Sequence, residues 1–163
     1  MEKREVTASA SEETVSTNAI IAARMLGYGG LLPFLFLAGA VVLGIRLPLA
    51  PAPSLLVGYG AIILSFIGAL HWGVMLNATQ PKANYFIWSI APALLGWASL
   101  IAPVLLGTGL LIIAFIICLF VDLRAIKTGL WPAYMRQLRV ILTVMACLSL
   151  SANFTLLTFQ FTR

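Results

Sequence analysis

His71 and Asp122 are the side chains best suited to hold or pass a proton in this chain. His71 is the only histidine, and Asp122 is the only acid after Glu13. Both sit in apolar runs, LSFIGALHWGVML at 64–76 and TGLLIIAFIICLFVDL at 108–123. A carboxylate at the centre of a hydrocarbon layer costs roughly 3 kcal/mol even on lenient insertion scales, so Asp122 needs a partner or a task. A salt bridge to Arg124, Arg136 or Arg139 is the plainest solution. A hydrogen bond to His71 is a more specific one, and it would fix one imidazole tautomer. Proton handling or ligand binding is a third.

Five aromatic residues fall near the same boundary: Trp72, Tyr85, Trp88, Trp131 and Tyr134. As an aromatic belt they would mark the membrane interface. As a cluster around His71 and Asp122 they would line a pocket, with Arg136 and Arg139 placed to meet a phosphate or carboxylate. Such a pocket suits a bound lipid or a quinone; no dedicated cofactor is predicted. One histidine cannot supply a bis-histidine haem or a zinc site, and no metal site or catalytic residue is assigned. No glycine loop precedes a lysine in phosphate-binding spacing, and no nucleophile–base pair stands at a familiar interval. Cys118 and Cys147 lie in apolar runs and read as small buried hydrophobes.

The elements that must position these residues follow from composition. Of 163 residues, 61% are hydrophobic and 9% charged, and mean hydropathy is +1.04. Soluble domains carry about a quarter charged residues, so lipid is the solvent here. Five apolar segments are expected at about 27–45, 54–76, 85–106, 108–123 and 139–159. Each is near the ~20 residues that span a hydrocarbon core. They are continuous rather than alternating, which predicts an all-α, five-helix transmembrane bundle. Residues 19–163 form one membrane domain. Residues 1–18, with four of the five acids, read as a disordered cytoplasmic tail. Gly107-Thr108-Gly109 reads as a tight turn between the third and fourth helices.

Basic residues set the orientation. With the N-terminus cytoplasmic, eight Lys and Arg fall inside: Lys3, Arg4, Arg24, Lys82, Arg124, Lys127, Arg136 and Arg139. Arg46 and Arg163 fall outside. The positive-inside rule then places the C-terminus outside, and the high isoelectric point needs no nucleic acid as partner. Ala61, Ser65, Ala69 and Gly73 recur at four-residue steps, a pattern that lets another helix approach closely.

The segments GYGGLLPF, YGAIILSFIGALHWGVML, WSIAPALLGW, Asp122-Leu-Arg124 and WPAYMRQLRVILT resemble the transmembrane protein 69 family over about residues 25–150. The His-Trp pair, the W-S-x-x-P stretch and the Asp near the end of the fourth helix are the most specific marks. The resemblance implies a five-helix inner-membrane protein and no particular reaction. The N-terminus lacks the acid-poor, Arg-rich character of a mitochondrial transit peptide, which suits a bacterial cytoplasmic membrane.

The expectation is a non-enzymatic structural, accessory or assembly protein with a cytoplasmic-side pocket for a lipid-like ligand or a partner helix. Its partners would be the bilayer, and another membrane protein or a second copy of itself. Two alternatives come from other classes: a small proton-coupled channel or carrier using His71 and Asp122, and a quinone- or lipid-modifying membrane enzyme.

Overall fold

The computed structural model describes residues 17–161, with side chains through residue 159. Residues 1–16 of the expected tail and Arg163 lie outside the described residues. The first span, Thr17–Val42, comprises helix α1 (17–29) and helix α2 (Leu31–Val42), joined by a turn at Gly30. Four helices follow: α3 (Ala52–Leu76), α4 (Ala83–Ile101), α5 (Val104–Lys127) and α6 (Met135–Phe161). All five spans are long and apolar enough to cross a membrane, and no strand occurs among the described residues.

The first span starts well before the expected residue 27: Thr17 and Asn18 are already helical, and α1 runs to residue 29 before the turn. The reason is visible at the break. Gly30 keeps right-handed helical torsions, and its N–H still bonds to the Leu26 and Gly27 carbonyls at 3.1 Å. Pro33 lacks an N–H and leaves the Gly29 carbonyl without its helical donor. One residue along, the Tyr59 hydroxyl donates to the Gly30 carbonyl at 2.8 Å and ties α3 to the break.

The turn between α4 and α5 lies at Ala102–Pro103 and not at Gly107–Gly109. Proline disfavours helical torsions in the residue before it, and Ala102 is extended with ψ 156°. Gly107 is instead buried within α5. A Cβ there would collide with the Ser99 carbonyl oxygen, so glycine serves the close approach of α4 and α5.

Helix α3 is the centre of the bundle. It packs antiparallel on α4, with Gly68 against Ser89 and Pro92, and Ala61 against Gly96. It runs parallel to α5 in constant register: Gly60 faces Leu111 and His71 faces Asp122, 51 residues apart in both cases. Helix α6 is antiparallel to α5, pairing Thr108 with Asn153 and Asp122 with Arg139. The buried interior is Phe34, Leu56, Leu64, Leu111, Phe115, Cys118 and Leu150 with their neighbours. Large apolar side chains such as Phe36, Ile62, Leu94, Trp97, Ile113 and Phe120 face outward, which is stable only where the surroundings are apolar.

Small residues set the α3–α4 contact, but along a different row from the four-residue stripe. Ala61 is buried and Ser65 half-buried. Ala69 and Gly73 are exposed, and a Cβ on Gly73 would meet nothing within 4 Å. Four residues are more than one 3.6-residue turn. A strict four-step row therefore winds off the contact, and Gly68 takes the place that Ala69 was expected to fill. Gly96 answers from α4: a Cβ there would lie 2.9 Å from the Ala61 carbonyl oxygen.

Candidate functional site

Asp122 is held from two sides. Its Oδ1 accepts from His71 Nε2 on α3 at 2.9 Å. Its Oδ2 accepts from Arg139 Nε on α6 at 2.6 Å, with Arg139 Nη2 at 2.5 Å. Asp122 is 0% exposed, His71 1% and Arg139 4%. An ionised carboxylate is acceptor-only, so the hydrogen of this bond sits on Nε2. With a neutral imidazole, the Arg139 and Asp122 charges cancel. That neutrality is what makes burial tolerable, since an unmatched charge in hydrocarbon is expensive.

The backbone explains why these three meet. The parallel register of α3 and α5 puts residues 51 apart at one level. The α5–α6 connection returns the chain so that position 139 lies beside 122. Helix α5 ends at Lys127, and two residues on Gly129 has a φ of +75°, open to glycine at little cost. Leu130 N–H then bonds to the Ala125 carbonyl at 2.9 Å, the 6→1 bond of a Schellman ending. This turn lays Trp131 on His71, ring centres 4.7 Å apart. Tyr85 stacks on the imidazole from further off, at 6.1 Å and 13°.

The other expected site residues lie elsewhere. Arg124 is exposed: two residues from Asp122 on a helix, it points away from it. Arg136 is exposed, and Tyr134 half-buried. With Arg24, Ala133 and Gln137 these two line a separate surface hollow. Trp72 is exposed and meets Phe86 edge-on at 5.0 Å. Trp88 is half-buried against the apolar core. The expected single pocket is therefore two places: a closed centre of His71, Asp122, Arg139, Trp131 and Tyr85, and an open basic hollow around Arg136. Among the described residues, no three His, Cys, Asp or Glu side chains gather as metal ligands would.

A second buried polar point lies toward the far end of α5. Asn153 Nδ2 donates to Thr108 Oγ1 at 3.1 Å, and Thr108 donates to the Val104 carbonyl at 2.7 Å. Thr108 and Asp122 are about 21 Å apart along α5 at the helical rise. Leu111, Ala114, Phe115 and Cys118 fill the interval, all buried.

One feature near the centre escaped the sequence. An apolar cavity of about 130 Å³ lies among the first span, α3, α5 and α6, and Arg139 and Thr143 line it. Thr143 was not singled out, because a lone threonine in an apolar helix carries no sequence signal.

A family model described as a protein of unknown function (DUF3429) matches residues 19–155. Transmembrane protein 69 of Xenopus tropicalis is 34% identical over 131 residues, which cover 77% of this chain and 50% of the frog protein. The chain thus spans about half the length of the curated relative it matches. No solved structure matches it. The matched region takes in all five residues of the closed centre, and the chain belongs to the DUF3429 family, a transmembrane protein 69-like family of helical membrane proteins of unknown function.

Proposed function

We propose that this protein is a non-enzymatic structural, accessory or assembly protein of a bacterial cytoplasmic membrane that holds a lipid-like ligand beside its polar centre. The N-terminus and the loops 77–82 and 128–134 face the cytoplasm in this reading, and the C-terminus faces outward. The observation that carries it is the closure of the centre. Both carboxylate oxygens of Asp122 are engaged within the protein, and His71 lies between α5 and the Trp131 ring with 1% of its surface exposed. A general acid or base must reach the proton it transfers, and this imidazole is packed away from any reactant. The triad instead joins α3, α5 and α6 at one level.

The proton-coupled reading needs ionisable or hydrated groups along a path. The apolar interval from Cys118 to Leu111 speaks against one. Arg139 is within α6 and paired with Asp122, so it adds no loop charge; Lys82, Lys127 and the exposed Arg124 and Arg136 still favour the cytoplasmic side for that end.

The test is purification of the full chain in mild detergent, followed by native mass spectrometry. A retained lipid-like ligand, or a stable protein partner, is the expected result. A bare monomer under conditions that keep the fold intact would overturn the proposal.

A further inference from the structure

The cavity between the first span, α3, α5 and α6 has an unusual lining. Its walls are apolar and aromatic, with Phe34, Phe66 and Phe115 among them. Two polar side chains enter it, Arg139 and Thr143, only 4% and 3% exposed. Each carries a polar atom with no hydrogen-bond partner: Thr143 Oγ1 and Arg139 Nη2. Nη2 lies close to Asp122 Oδ2 but not in line for a hydrogen bond. Buried polar groups are nearly always satisfied, and leaving a donor unmet costs about 1–3 kcal/mol. Two side chains that carry such donors line one cavity, which suits an acceptor supplied from outside the chain.

We infer that this cavity takes the ring of a membrane quinone, with one ring carbonyl oxygen accepting from Thr143 and Arg139. This rests on the ligand-holding reading above and names the ligand's chemistry. Size sets a limit: an apolar protein cavity of roughly 150 Å³ holds a benzene ring, and this one is about 130 Å³ and partly open, so it encloses the carbonyl edge of the ring and leaves the rest at its mouth. Charge supports the inference. Asp122 already neutralises Arg139, so the site offers hydrogen-bond donors without spare positive charge. A neutral carbonyl fits that better than a phosphate or carboxylate. The route also fits: Leu26 and Phe66 line the cavity and are exposed on the apolar outer surface, so an isoprenoid tail would leave the ring directly into lipid.

The experiment titrates full-length protein in detergent with decylubiquinone, following tryptophan quenching and the shift in Tm. Decylbenzene serves as the probe without carbonyls, and phosphatidylglycerol as the probe with ester carbonyls. Saturable decylubiquinone binding that decylbenzene does not reproduce is expected. Thr143→Val should weaken it about 3- to 10-fold, the loss of one hydrogen bond, without lowering the ligand-free Tm. Ala146→Leu, which fills the cavity, should abolish it. Binding indifferent to Thr143→Val, or equal for decylbenzene, overturns the inference. Displacement of decylubiquinone by phosphatidylglycerol also overturns it, but leaves the lipid-holding reading standing. Failure of all three probes, with no ligand retained through purification, defeats both.

Discussion

Asp122 on α5 receives the His71 imidazole of α3 at 2.9 Å, and both side chains are sealed from the surface. Arg139 occupies the other oxygen of the same carboxylate. Three of the five spans are thereby fixed at one level by polar bonds. Measured polar contacts between membrane helices average about 0.6 kcal/mol and reach about 1.7. The fixing of register, rather than a large gain in stability, is what such a triad supplies best.

Removing one charge of the triad should hurt more than removing both. Arg139→Met leaves Asp122 as an uncompensated buried carboxylate and should cost about 3–5 kcal/mol. Arg139→Met combined with Asp122→Leu should recover most of that loss. Unfolding in a graded denaturing detergent measures both. Additive losses would deny the ion pair its role.

The α3–α4 contact predicts opposite responses from two glycines five residues apart. Gly68→Ala drives a methyl into the Ser89 carbonyl and Pro92, and should cost about 1–3 kcal/mol by overpacking. Gly73→Ala meets open space and should be neutral or gain up to about 1 kcal/mol from helix propensity. The same unfolding assay separates the two.

Gly129→Ala tests how the site is positioned. Its φ of +75° costs an L residue about 1–2 kcal/mol. Relief of that strain would rotate the 130–131 segment and draw Trp131 off His71. A changed Trp131 emission, read with the other three tryptophans replaced by phenylalanine, is the expected signature.

The proposed orientation places Gln80 on the cytoplasmic side and Leu49 outside. In a background with Cys118→Ala and Cys147→Ala, a cysteine at Gln80 should resist an impermeant maleimide in intact cells. A cysteine at Leu49 should react. The reverse pattern would invert the orientation.

The spans were legible because apolar runs of about 20 residues fix helices. The His71–Asp122 bond was one of three solutions the sequence left open for Asp122, because no local pattern says which side chains of different helices touch. Arg139 stood among three arginine candidates, and helical geometry separates them: Arg124 points away from Asp122, whereas Arg139 faces it across the α5–α6 pair. The α4–α5 turn was misplaced because Gly-Thr-Gly carries stronger turn chemistry than Ala-Pro. Within a membrane bundle, those glycines serve close packing instead. The stripe from Ala61 to Gly73 misled for a related reason: helical drift carries position 73 out of the contact that 61 begins. The cavity beside Thr143 was not legible, since it is bounded by four spans whose relative rotation no local pattern records.

The most direct test is a double-mutant cycle on His71→Ala and Asp122→Asn in detergent. A structural bond predicts a loss of about 1–2 kcal/mol for His71→Ala and about 3–5 for Asp122→Asn. The double variant should then lie within about 1 kcal/mol of the worse single. Strictly additive losses, or two variants as stable as the parent, would contradict the account.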